Sequence, residues 1–436
     1  MKEIKLDCRS IVIIIIWIYA LAQPTCFIQS AFMDNIVQVG LVLAALLFML
    51  AKNRGLRIDS LSLLYLLLIL TAVVPDICSG NIEGTITQAL SYVFPVLMYI
   101  IVWNAGDTER SIDLLYKLPI AFGVLLGGWT AFGGVLRFIG IPIGSNMVEV
   151  EKFGNLVQMS SYGFGIFASW GGFAGHTLYR LNSYFIEPSK FAMFLEVPFF
   201  LLLERYKNCS GKARRRTLFG LVCVSTAFLF SMSRAGMVSL LATIVYAKIL
   251  KIKNKSVRNG ADGDDIFKMI AAAFLMIIGA LIMLNVLVAL GKFFPGISFL
   301  SEGITDMSGK ANLVRNETVD SSHLLTLFLQ HPFGSGFSSI VALNKVTNLA
   351  NAFIFWTIIG GFFAIVILAM IYIKILLNNY IPAVSSGDYK LRGIANAFFS
   401  VTIHSLSYGT WMEPIYILLI VTMICMRRRE LLLNNL

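Results

Sequence analysis

The chain has 436 residues, 57% of them hydrophobic and 14% charged, with a formal net charge of +11. A soluble domain carries about 25% charged residues, and here apolar runs long enough to cross a bilayer recur along the whole length, which excludes a soluble globular protein. The runs are continuous rather than alternating, so they predict helices instead of a barrel, and the positive charge collects in short segments between alternate spans instead of forming a nucleic-acid-binding face.

The expected fold is an all-α polytopic membrane protein, a single integral domain over 1–436. Met1 to Ser10 carries Lys2, Lys5 and Arg9 and reads as cytoplasmic. The first span, about Ile11 to Gln29, has no small-residue cleavage site behind it and reads as a retained helix. A turn at Asp34-Asn35 leads into Ile36 to Ala51, and Lys52, Arg54 and Arg57 return the chain inside. The third span ends near Pro75, and the fourth covers Ile86 to Trp103. Asp107 to Lys117 reads as a mixed-charge inner loop. Cys26 and Cys78 both fall near the outer face; a disulfide between them requires that they meet, which spacing does not decide.

The fifth span, Leu118 to about Ile139, holds Gly123, Gly127, Gly128, Gly133 and Gly134, a composition that lets helices approach closely in lipid. The first long outer loop, 140–188, is rich in glycine and aromatics and predicts a re-entrant or interface-hugging segment. Its aromatics, Tyr162 to Phe185, fit either sugar stacking or an interfacial belt. The sixth span is Ser189 to Leu203, and Glu204 to Arg216 is strongly basic. Leu218 to Leu250 is too long for one crossing, which needs about 20 residues. Its polar break is SMSRAG, Ser231 to Gly236, so it predicts a hairpin with Arg234 at the outer membrane edge.

A ninth span covers Ile266 to about Leu290. The second long outer loop, 291–349, contains an amphipathic stretch, Ser321 to Gln330, stopped by HPFGSGF at His331 to Phe337. Ala350 to Ile375 is the tenth span. A last hairpin turns near Tyr408-Gly409 and ends at Arg427-Arg428-Arg429. This makes about twelve spans with both termini cytoplasmic.

Because the positive-inside bias leaves few basic residues outside, Arg180, Arg234 and Arg315 stand out. A guanidinium fork binds phosphate in two places and stays charged, and the same side chain also snorkels to headgroups or pairs with acids. Glu187, at the mouth of the sixth span, reads two ways: general base, or partner of Arg180. His323 and His331 are candidate general bases of the second loop. Glu196 lies about two and a half turns deeper than Glu187, where a carboxylate is usually functional or paired. His176 and His404 carry no further signal. The residues form no metal-ligand pattern and no nucleotide-binding loop, and no cofactor is expected.

Three motifs in order carry a resemblance. Arg180-Leu-Asn-Ser-Tyr-Phe-Ile-Glu187-Pro188-Ser189 opens the sixth span. Ser233-Arg234-x-Gly236 forms the outer hairpin. Pro332-x-Gly334-x-Gly336 follows Arg315, ahead of Asn351 and Gly360-Gly361. Together they resemble the O-antigen polymerase and ligase superfamily, the Wzy-type repeat-unit polymerases and their ligase relatives, over Arg180 to Gly361. The histidine that precedes the asparagine in that family is Ala350 here, which tilts the resemblance toward polymerase.

The resemblance implies a metal-independent, multi-pass glycosyltransferase of the bacterial inner membrane. Its substrates would be oligosaccharides on undecaprenyl diphosphate, with membrane lipid and a chain-length regulator as partners and no nucleic acid. Arg180, Arg234 and Arg315 would hold diphosphate, and Glu187, His323 or His331 would take the acceptor's proton. The rivals are an O-antigen ligase and a lipid-linked oligosaccharide flippase.

Overall fold

The computed structural model describes residues 7–22, 24–25, 31–52, 55–80, 85–138, 145–152, 155–162, 166–173, 176–259, 326, 328–340, 351–407 and 411–434. These are mostly helical. Helices α1 (Cys8–Ala22), α2 (Ala31–Lys52), α3 (Ser60–Ser79), α4 (Thr85–Ala105) and α5 (Glu109–Phe138) precede a four-stranded sheet. Then come α6 (Pro188–Asn208), α7 (Gly211–Ser231), α8 (Arg234–Asn259), α9 (Ala352–Ile375), α10 (Tyr389–Ser407) and α11 (Pro414–Asn434). Among the described residues, four helical stretches are long and apolar enough to cross a membrane: Ser60–Ser79, Gln88–Ala105, Glu109–Leu136 and Ala352–Val384.

Several element ends follow from local chemistry. Asp59 caps α3 by accepting from the Ser62 amide at 3.0 Å, and Gly80 closes the helix at φ 73°, a left-handed conformation that costs glycine little. Pro75 therefore lies inside α3 rather than ending it. The expected inner loop from Asp107 is also shorter than its composition suggested, because α5 begins at Glu109. Asp113 and Lys117 are one turn apart on it and form an ion pair at 2.5 Å. The long run from Leu218 folds as the expected hairpin, turning at Met232–Ser233. The expected span from Ile266 and most of the loop 291–349 lie outside the described residues, as do Cys26 and the turn near Tyr408. Cys78 is a free, exposed thiol.

The main correction concerns 140–188. Where the sequence predicts a re-entrant or interface-hugging segment, the chain forms an antiparallel meander of β1 (Ser145–Lys152), β2 (Asn155–Tyr162), β3 (Ile166–Phe173) and β4 (His176–Ser183), in sheet order 1-2-3-4. The fold is thus helical with one appended sheet, not purely α. Register runs from Ser145↔Tyr162 to Lys152↔Asn155 in the first pair and from Phe167↔Ser183 to Phe173↔His176 in the last, with an irregularity at Phe167/Ala168. The hairpin pairing satisfies backbone groups that a loop would leave to water or headgroups. β4 rests on α5, α6 and α7.

The helices pack with α6 at the centre, against α5, α7, α8 and α10. The glycines of α5 make this close. A Cβ at Gly123 would lie 2.3 Å from Pro198 Cγ, and one at Gly134 would lie 2.4 Å from the Phe230 ring.

α9 is broken in its middle. Gly361 has φ 64° and ψ −154°, outside the helical region. The break frees carbonyls and an amide, and HPFGSGF supplies their partners. The Ser335 and Gly336 amides donate to the Ile358 and Ile359 carbonyls at 3.0 and 3.1 Å, and the Phe362 amide donates to the Pro332 carbonyl at 2.9 Å. A broken helix in a bilayer survives only with such replacement. Asp76, fully buried at the end of α3, anchors the far side of this clasp. It accepts from Ser338 Oγ at 2.6 Å, the Ser338 amide at 3.1 Å and Thr85 Oγ1 at 2.8 Å. Phe337 then stacks on Tyr92 at 5.2 Å between ring centres.

An alanine at Gly361 would place Cβ 2.4 Å from the Gly334 nitrogen and 2.5 Å from the Pro332 oxygen. Gly361→Ala is expected to cost about 3 kcal/mol from strain and clash together. Gly40→Ala, whose Cβ meets nothing within 4 Å, should be neutral or slightly stabilising. Thermal unfolding of the two variants in detergent checks this, and equal melting would contradict the clasp.

Candidate functional site

Arg180 to Lys190 runs from the end of β4 into the first turn of α6. Ser183 adopts φ 52°, and the turn is closed by the Phe185 amide donating to the Asn182 carbonyl at 2.9 Å. The Asn182 amide group donates back to the Phe185 carbonyl. Phe185 is fully buried against Phe191 and Phe194, with ring centres 5.2 and 5.4 Å away, so the turn is pinned to the bundle by aromatic packing. Pro188 occupies the first helical turn, where its missing amide costs nothing. Glu187 sits at the N-cap in extended conformation, partly exposed and making no cap hydrogen bond.

Arg180 Nε donates to the Ser231 carbonyl at 3.2 Å. Ser231 is the last residue of α7, where carbonyls lack helical partners and the helix dipole is negative. Three residues later α8 begins. Ser233 caps it, its Oγ accepting from the Gly236 amide at 3.3 Å. Gly236 is required by packing, since a Cβ there would lie 2.9 Å from the Phe228 ring and 3.2 Å from Ala192. Arg234 is the first residue of α8. A cation at a helix N-terminus opposes the dipole, whereas an anion bound there is stabilised by the free amides. The turn thus sets the negative end of α7 beside the positive end of α8, with Arg180 held against the former.

Further along the same helix, Lys190 pairs with Glu413 at 2.9 Å, just before α11. The deepest polar group is Glu196. It has no solvent exposure, and its carboxylate gathers three helices. Ser239 of α8 donates to Oε1 at 2.8 Å and Ser400 of α10 donates to Oε2 at 2.7 Å. His404 Nδ1, also on α10, lies 2.5 Å from Oε1. His404 is likewise fully buried, and its Nε2 has no hydrogen-bond partner among the described residues.

Of the residues singled out from sequence, Arg180, Glu187 and the Arg234 turn come together at one pole of the bundle. His331 is exposed in the clasp, its carbonyl accepting from Gly334 at 2.9 Å. Arg315 and His323 lie outside the described residues. The residue that sequence reasoning passed over is His404. The available signal was its spacing: Ser400 and His404 are four apart, on one helix face, inside an apolar run.

The opposite pole is an ion-pair mesh. Arg429 meets Glu109 at 2.7 Å, Lys390 meets Asp113 at 3.2 Å, Lys207 and Arg392 share Glu204 at 2.5 and 3.4 Å, and Arg428 pairs with Asp107 and stacks on Trp103. Its basic groups are occupied in joining helix ends.

Compared with models of known protein families the chain matches none, and it matches no curated protein.

Glu196→Ala would strip the acceptor from the buried Ser400 hydroxyl and His404 imidazole; Ser239 would keep the Gly236 carbonyl, 2.8 Å from its Oγ. A loss of about 3–5 kcal/mol is expected on breaking such a buried pair, with Glu196→Gln losing less. Melting of the purified variants in detergent reads this out. An alanine variant as stable as wild type would show that the cluster does not hold α6, α8 and α10 together.

Proposed function

We propose that the protein is a surface-polysaccharide repeat-unit polymerase of the O-antigen type. In this reading it is a metal-independent glycosyltransferase crossing the bacterial inner membrane about twelve times, with both termini cytoplasmic. The Arg180 pole faces outward, and the ion-pair mesh faces the cytoplasm. Donor and acceptor are oligosaccharides on undecaprenyl diphosphate. The acceptor hydroxyl attacks the donor's anomeric carbon, and undecaprenyl diphosphate departs.

The observation that carries this reading is the Arg180 Nε bond to the Ser231 carbonyl, which ties two of the three resemblance motifs into one place. Glu187 opens α6 within the same segment, and the amides of α8 add an anion-binding element beside Arg234. The third motif, HPFGSGF, has a structural task in the clasp, so it supports the resemblance but adds no chemistry at Arg180. Ala350, in place of the family's histidine, favours polymerase over ligase.

One observation favours the transporter as a second reading. The Glu196–His404 pair is an ionisable pair inside the bundle, which proton-coupled transport would use.

Arg234→Ala is expected to reduce polymer at least about 100-fold, as for loss of a charge-stabilising donor, while the protein stays in the membrane. Banding of surface polysaccharide in the variant strain measures it, and a normal ladder would remove Arg234 from the site. Deletion separates the readings. Core capped with one repeat unit supports the polymerase. Absence of capped core supports a ligase, and repeat units trapped on the inner leaflet support the transporter.

A further inference from the structure

We infer that His404 Nε2 is the catalytic base that takes the proton from the acceptor sugar's hydroxyl, with Glu196 as its positioning residue. The assignment rests on the polymerase reading above.

Four observations carry it. First, the tautomer is fixed. Nδ1 faces the Glu196 carboxylate at 2.5 Å, so the proton of a neutral ring sits there and Nε2 presents its lone pair. Second, Nε2 is fully buried and has no partner among the described residues, an acceptor held ready for a donor. Third, the carboxylate is itself fixed by Ser239 and Ser400, so the ring has a rigid mount. A base oriented by a hydrogen-bonded carboxylate, its other nitrogen open, is the arrangement that activates hydroxyls on unrelated folds. Fourth, the pair lies within reach of the diphosphate pole. Ser239 is five residues into α8, about 8 Å below the turn at Arg234.

Lys190 and Met193 lie between Glu187 and Glu196 along α6. Lys190 is partly exposed, and Met193 is buried, its sulfur 3.8 Å from the Ser405 hydroxyl. Methionine is the most adaptable apolar side chain, and this one touches the helix that carries His404. In this assignment Met193 repacks to admit the sugar hydroxyl to Nε2.

The step balances. The acceptor O–H breaks with its proton going to Nε2, and the oxygen's electron pair forms the bond to the donor's anomeric carbon. The bond from that carbon to lipid diphosphate breaks, its pair leaving on the diphosphate. The imidazolium formed lies against the Glu196 carboxylate, so no uncompensated charge arises in the bundle. The ring is reset when the proton passes to the released diphosphate.

The test uses purified full-length protein in proteoliposomes with a synthetic undecaprenyl-diphosphate-linked repeat unit, scoring polymer by gel. His404→Asn places an amide N–H where Nδ1 stands and removes Nε2, so it keeps the bond to Glu196 but cannot accept a proton. His404→Gln is the second variant, also unable to accept one. A folded variant should lose polymerisation about 100-fold or more, the usual worth of a general base, while its melting and its retention of the lipid-linked unit stay near wild type. Polymer within tenfold of wild type from either folded variant overturns the assignment. If neither variant reaches the membrane, the pair is structural and the assignment falls. A wild-type protein that makes no polymer overturns the polymerase reading itself and His404's role with it. A polymerising wild type beside an equally active Asn variant overturns only the role of His404.

Discussion

One buried carboxylate constrains the centre of this molecule. Glu196 is on α6, which packs against α5, α7, α8 and α10, and it accepts from α8 and α10 at once. A carboxylate in an apolar bundle is costly unless its lone pairs are met, so α6, α8 and α10 are free to sit only where Ser239, Ser400 and His404 reach it. That requirement sets the depth at which α8 starts relative to α6. In turn it brings the Ser231–Arg234 turn level with Arg180 at the end of β4. The arrangement at the pole is thus a consequence of a hydrogen-bonding demand deeper in the bundle.

A second demand of the same kind shapes the other side. Breaking α9 at Gly361 exposes backbone groups that lipid cannot satisfy, and the HPFGSGF segment satisfies them while Asp76 holds the segment from behind. The three glycines at this junction are explained by contact. Gly334 and Gly361 press backbone to backbone, and Gly336 leaves room for a carboxylate oxygen. The motif that resembles a functional signature is therefore sufficient, on physical grounds alone, as a structural joint. In the proposed function the chemistry belongs instead where α6, α7, α8 and β4 meet.

Much of the helical framework was legible in the sequence because it depends on apolar runs of limiting length. The α7–α8 hairpin is the clearest case: the run from Leu218 had to fold in half, and SMSRAG was its only polar break. The glycine-rich α5 was likewise readable as a close-packing face. The sheet was not legible, because its strands carry glycines and polar residues in patterns shared by interface-hugging loops, and pairing between strands leaves no local trace. At the candidate site, Arg180, Glu187 and Arg234 stand out in the sequence because charge is conspicuous in an apolar chain. His404 was missed because its meaning depends on Glu196, more than two hundred residues away in sequence, and one chain shows no such coupling.

The proposed polymerase joins these parts into one account. Arg180 and the Ser231–Arg234 turn meet at one pole, the Glu196–His404 pair lies beneath them, and the opposite pole is closed by ion pairs. The most direct test is a structure of the protein with a non-hydrolysable undecaprenyl-diphosphate-linked repeat unit bound in lipid nanodiscs. The account predicts diphosphate density between Arg180 and the first turn of α8, with the lipid tail leaving along the bundle and the sugar toward α6. Diphosphate bound at the Glu109–Arg429 pole, or a sugar lodged with no phosphate near Arg180 and Arg234, would contradict it.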